Sequence, residues 1–467
     1  MTLTDAAALR PQTIQVLIVV APILALTGAA VIFLRILKKR DGEVEPFELG
    51  VFYAAVVFLY GVFPLLSYLS GGLHFSRFAA SRLFLSQPLP SEMARIDWYY
   101  FVYFSFFVAA YLLARGKCRI KKILLPRPDG RLLVVLIILL LSVKAFFVFL
   151  RLYYDIRNPE SYIESYLQYS TLPLIVQQLV NHFIQIDLTL QVVLMAYLTF
   201  NFRKYKYAIF ACVALEFLMM FFYGIGARTG LFVLIASLVI THHFAVRRLT
   251  IRSAVIVGAL VLLLFVSFGA LRDDTRGYAD SPRDPLAYNN EFESVFSTSY
   301  DLLYGKGISA SRAIPRSFYV SDFLNLVPQQ LLPFQKIDLT RWYVETYYPT
   351  YAMSGGGLAF GVVPEAIVGL GWFDVGWRGA IIGVLFALIH RNFVNGKKSF
   401  WKYCFYLWTV IFAYQCFRNT TFRLVPQFFY EFLTVVIVSK IMLKILPRRK
   451  KSRYRLESSP VLAESFD

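Results

Sequence analysis

Residues 13–40 read TIQVLIVVAPILALTGAAVIFLRILKKR. The stretch from Thr13 to Leu37 is apolar apart from small polar residues and one arginine, and it exceeds the roughly 20 residues that an α-helix needs to cross a bilayer. Lys38, Lys39 and Arg40 then close the run, and clustered positive charge beside a span marks its cytoplasmic side. A secretory signal has the reverse order, with basic residues ahead of the apolar core and a small-residue cleavage site behind it. The expectation is therefore a retained first membrane helix.

The same test applied along the chain gives spans at 13–37, 47–70, 97–114, 131–151, 173–200, 207–224, 227–245, 253–271, 375–390, 400–417 and 425–446. Composition agrees with this reading. The 467 residues are 58% hydrophobic and 16% charged, against about 25% charged in soluble domains. The expected fold is an all-α, polytopic transmembrane helix bundle of about 11 spans with one large external loop. Residues 1–271 hold helices one to eight, and 272–363 form the loop. Residues 364–446 hold a re-entrant Glu helix and the last three spans, and 447–467 form a basic tail.

Charge placement orients the bundle. Lys38–Arg40, the basic residues between Arg115 and Arg131, Arg203–Lys206, Arg247–Arg252, Arg391–Lys402 and Arg448–Lys451 fall on alternate connections. With eleven spans this puts the N-terminus outside and the C-terminus in the cytoplasm. The formal net charge of +19 reports orientation, and no nucleic-acid partner is expected. The loop at 272–363 holds eight basic and ten acidic residues. Its many tyrosines argue against disorder, because disorder-prone segments have few aromatics. Cys118, Cys212, Cys404 and Cys416 show no metal-type spacing, so no metal site or disulfide framework is expected.

Several residues stand where chemistry is plausible. In the fifth span Gln178, His182, Gln185 and Thr189 recur on one helix face, a stripe that either joins helices or lines a wet cavity. Arg228 lies in the hairpin Gly224–Gly230, Arg272 and Arg276 flank Asp273 and Asp274 at the mouth of the loop, and Arg418 and Arg423 bound the turn before the last span. These three expected outer helix ends bring arginines to one membrane level, which suits a diphosphate carried on a lipid tail. Glu365 lies on a glycine-flanked apolar helix too short to cross. It reads either as a general base with raised pKa or as the partner of a nearby arginine. Asp273 and Asp274 read either as a base or as counter-ions to their arginines.

The order of these features resembles the bacterial O-antigen and exopolysaccharide repeat-unit polymerases. The shared elements are Gly226-Ala227-Arg228-Thr229-Gly230, the Pro-rich stretch Asn325–Phe334, Pro364-Glu365-Ala366 leading to Gly376-Trp377-Arg378-Gly379, and the turn Arg418–Arg423. The likeness covers residues 207–446, and an arginine-ten-residues-glycine pattern of some members is absent from 272–363.

The resemblance implies a metal-independent glycosyltransferase without cofactor at the outer face of the cytoplasmic (inner) membrane. It would move a polyprenyl-diphosphate-linked oligosaccharide onto a lipid-linked repeat unit, alongside a flippase and a chain-length regulator of the same pathway. Glu365, Asp273 and Asp274 are then catalytic candidates, and Arg228, Arg272, Arg276, Arg418 and Arg423 diphosphate ligands. Arg341, Trp342, Tyr343 and His182 would contact substrate. The alternatives are an O-antigen ligase, for which a loop histidine is expected and none occurs in 272–363, and a polysaccharide flippase or transporter, which needs polar residues at membrane depth in several helices.

Overall fold

The computed structural model describes residues 3–70, 88–118, 128–156, 168, 171–222, 228–274, 291–304, 316–327, 331–334, 336–349, 352 and 358–447. Among these the chain is all helical, with no strand. Long helices come first: α1 (Leu3–Asp41), α2 (Leu49–Leu69), α3 (Pro90–Arg115), α4 (Gly130–Tyr153), α5 (Leu174–Phe200), α6 (Phe202–Phe222), α7 (Arg228–Ala245) and α8 (Ile251–Asp274). Shorter elements follow: α9 (Glu291–Tyr304), a 3-10 turn (Arg316–Val320), α10 (Ser321–Leu324), α11 (Leu339–Tyr347) and α12 (Val362–Val368). The chain closes with α13 (Trp372–Asn395), α14 (Phe400–Phe412), α15 (Gln415–Arg418), and a continuous helical run made of α16 (Leu424–Gln427), a π-helical turn (Phe428–Leu433) and α17 (Thr434–Ile445).

Six helices among the described residues are long and apolar enough to cross a membrane: Ile14–Asp41, α2, α3, α4, Ile175–Phe200 and α13. The sequence led us to expect about eleven. The expected span at 400–417 is interrupted after Phe412, where the helix stops and restarts as the four-residue α15. The expected span at 425–446 stays helical from Leu424 to Ile445 and widens into a π turn at Phe428–Leu433. The expected spans at 227–245 and 253–271 are the helices α7, of 18 residues, and α8, of 24. Leu113, Leu141 and Ile175 on the long helices are more than half exposed, as side chains that face lipid tails are.

The core pair is α3 and α13, which run parallel in close contact. Gly379 and Gly383 make that approach: a Cβ at either would stand 2.5 Å from the carbonyl oxygen of Tyr103 or Phe107. Small residues four apart let helix backbones touch, replacing a hydrophobic drive that lipid does not supply. Tyr99 stacks on Trp372 with ring centroids 3.6 Å apart, and the Tyr53 and Tyr103 hydroxyls bond across α2 and α3 at 2.6 Å.

At the far end of α3 the buried Arg115 is enclosed by Glu48 at 2.5 Å and Asp41 at 2.7 Å, with Tyr111 donating to the same Glu48 at 2.7 Å. This knot ties the α1–α2 connection to the end of the bundle that carries Lys38–Arg40. Within 272–363, the described parts have their own apolar cluster of Phe318, Leu339, Tyr343, Val344, Tyr347, Tyr348 and Phe360. It lies at the opposite end, where α12 and the start of α13 meet.

Candidate functional site

Three glycines shape the site. Gly361, at φ +95°, admits no side chain, because a Cβ would lie 2.3 Å from Val295 Cγ1 and 3.4 Å from the Phe417 carbonyl oxygen. Gly371, at φ +63°, starts α13; left-handed backbone of this kind favours glycine. At Gly369 a Cβ would fall 1.9 Å from Asp374 Oδ2 and 2.5 Å from the Tyr319 hydroxyl. The chain can therefore reverse tightly after α12 and fold the first turns of α13 back beside it.

That reversal brings Glu365 and Arg378 together, both almost wholly buried, at 2.9 Å. Arg378 Nε donates to Asp374 Oδ1 at 2.8 Å one turn earlier on α13. Its Nη1 donates to the Thr421 hydroxyl at 2.6 Å, and that hydroxyl in turn donates to Glu365 at 2.7 Å. The Thr421 backbone N–H adds a third bond to the same Glu365 oxygen at 2.8 Å. The Tyr319 ring faces the guanidinium at 5.5 Å.

A second carboxylate grips the neighbouring residues of the same turn. Asp322 of α10 accepts from the Thr420 hydroxyl at 2.5 Å and from the Phe422 N–H at 3.1 Å. The turn 418–423 is thus held from two sides, by α12 through Thr421 and by α10 through Thr420 and Phe422. Burial pushes the Asp322 carboxyl above its ordinary range, against the pull of its two donors and of Arg423. Burial pushes Glu365 up as well, with Arg378 opposing.

What the clamped turn presents is arginine. Arg418 is half buried, within electrostatic reach of Tyr60 on α2. Arg423 is exposed and lies within electrostatic reach of Asp322 and of His182 on α5. His182 also faces Tyr430 of the π turn, ring centroids 5.1 Å apart. Two residues 241 positions apart in the chain, His182 and Arg423, therefore border one place. π turns are frequent at functional sites.

The other expected residues fall elsewhere. Glu365 is engaged by Arg378 and Thr421 rather than open to a ligand, which is the arginine-partner reading of that residue. Tyr343 is buried, and its hydroxyl donates to Asp301 at 2.5 Å, with Tyr348 donating to the same oxygen. It supports the loop cluster. Trp342 is half buried beside Tyr347, and Arg341 is exposed and paired with Glu345 on its own helix at 2.7 Å. Arg228 opens α7, and Arg272, Asp273 and Asp274 end α8; their side chains lie outside the described residues, as does all of Arg276.

Sequence reasoning gave no site role to Asp374, Arg378, Asp322, Thr420 and Thr421. The i, i+4 spacing of Asp374 and Arg378 is the usual mark of a helical ion pair and was readable. Asp322 carries no local signal, because its partners lie about a hundred residues further on. No family model, curated protein or solved structure matches the chain.

Proposed function

We propose that the protein is a glycan polymerase of the inner membrane that moves a polyprenyl-diphosphate-linked oligosaccharide onto a lipid-linked repeat unit. The observation that carries the reading is the turn 418–423, whose residues Thr420, Thr421 and Phe422 are held by Asp322 and Glu365 from two separate elements, with Arg418 and Arg423 at its two ends. Pre-organised cations act on charge that develops in the transition state at no cost in reorganisation. Here the developing charge is the departing lipid diphosphate.

In this account Arg418 and Arg423 bind the diphosphate. Arg228 and Arg272, which start and end helices near the loop, complete the set. Glu365 acts through Thr421 and is a positioning residue. The role of accepting the acceptor hydroxyl's proton passes to Asp273 or Asp274 at the loop entrance. The outer face of the membrane is the working side, with the N-terminus outside and the C-terminus in the cytoplasm.

The test is the product ladder of a deletion strain complemented with wild type, R418Q or R423Q. The account expects lipid-linked single repeats to accumulate at the outer face in the deletion strain and in both variants, at wild-type protein level. Single repeats trapped inside would mark a flippase. Full-length polymer left unattached would mark a ligase.

A further inference from the structure

The helices away from the arginine turn carry ionisable groups at membrane depth that the glycan reading does not use. Lys144 lies in the middle of α4 and Asp187 in the middle of α5, both among the helices long and apolar enough to cross. Lys144 Nζ and Asp187 Oδ2 form an ion pair at 2.8 Å. Gln191, one turn along α5, donates to the same Asp187 oxygen at 3.0 Å. Glu216 of α6 completes the group, within electrostatic reach of Lys144, Asp187 and Gln191. From α7 the backbone of Gly230 closes over it; a Cβ there would stand 2.1 Å from Glu216 Oε1. Cys212, one turn before Glu216, is the further titratable group that faces it.

Among the described side chains, charge and hydrogen bonding do not balance in this cluster. Two carboxylates there meet one ammonium, which leaves one negative charge over where an uncompensated charge is strongly disfavoured. Two acceptors are also unfilled: among the described residues, Asp187 Oδ1 and Gln191 Oε1 are buried and make no hydrogen bond. Asp187 and Gln191 are 7% and 3% exposed, so bulk water does not serve them. One added proton cancels the surplus charge, and its O–H supplies a donor to one of the two acceptors.

We propose that Asp187, Glu216, Gln191 and Lys144 form an intramembrane proton-binding site, in which Glu216 holds the proton and donates it toward the α5 acceptors. The occupant is a proton rather than a metal cation because the Lys144 ammonium already fills the cation position beside Asp187, and a second fixed cation there would be repelled. Asp187, paired directly with lysine, keeps its negative charge. Loss of the proton from Glu216 Oε to water leaves the cluster with its unbalanced charge, so occupancy follows the pH of the compartment to which the site opens. This inference stands apart from the glycan reading and survives its failure.

The experiment uses the full chain in lipid nanodiscs and two measurements. Infrared difference spectra at neutral pH, wild type minus E216Q, should show the carbonyl stretch of a protonated carboxyl. D187N should lose the same band, because Glu216 then becomes the ionised partner of Lys144. K144M should gain a second band as both carboxyls protonate. A hydrophobic carbodiimide, which reacts only with protonated carboxyls, should label Glu216 in the wild type. Labelling should fall in D187N, where Glu216 becomes ionised beside Lys144. The wild-type labelling needs no variant to fold. Absence of Glu216 labelling, a band unchanged in E216Q, or a band that sodium ions abolish at fixed pH would each overturn the proposal.

Discussion

Replacing Arg378 by methionine removes the cation from a buried group that holds two carboxylates. Glu365 and Asp374 would be left at 2% and 0% exposure with no compensating charge. Breaking a buried ion pair from one side costs about 3–5 kcal/mol, because the remaining charge stays uncompensated. Thr421 adds to the loss, since its hydroxyl both receives from Arg378 and donates to Glu365. The variant should recover as pH falls. Burial already raises the Glu365 carboxyl and Arg378 opposes it. Without the guanidinium, Glu365 binds a proton more readily in the folded state than in the unfolded chain, and acid stabilises the fold. Adding E365Q to R378M should restore part of the loss, a coupling of about 1–3 kcal/mol. The assay is thermal unfolding in nanodiscs across pH for the wild type, both single variants and the double. Strictly additive losses, or an R378M penalty that does not shrink at low pH, would refute the ion-pair reasoning.

Two further outcomes follow from the geometry. G383L should cost about 1–3 kcal/mol or prevent folding, since the side chain must enter where a Cβ already stands 2.5 Å from a backbone oxygen and overpacking carries such penalties; Leu at the open Gly258 is the control in the same unfolding assay. Burial raises the Asp301 carboxyl to about 6 from 3.8, a contribution of about 3 kcal/mol that is fully present below the unfolded value and lost as pH rises through about 6. D301N should therefore flatten the stability profile between those two values, read from pH-dependent unfolding.

The helices were the legible part. The run ending in Lys38–Arg40 and the apolar stretch 131–151 both read correctly as long helices, because hydropathy and length are local properties. Span number was less so: whether 400–417 stays one helix depends on the break at Ala413 and Tyr414, and neighbours decide that. Glu365 was visible as a carboxylate on a short apolar helix, but its engagement was not. Its partner Arg378 lies beyond the glycine reversal, and Thr421 arrives from another helix end. The polar stripe on α5 was read for the face through His182, whereas Asp187 and Gln191 found charged partners on α4 and α6. A lysine inside an apolar run declares that a partner exists without naming it.

The central claim is that Arg418 and Arg423, at the ends of the turn that Asp322 and Glu365 hold, handle a lipid diphosphate. Its most direct test is the lipid-linked product ladder from cells carrying R423Q, with the chain present at wild-type level in the membrane. The account predicts single repeats at the outer face and no elongated polymer. A ladder of wild-type length from both R423Q and R418Q would contradict it.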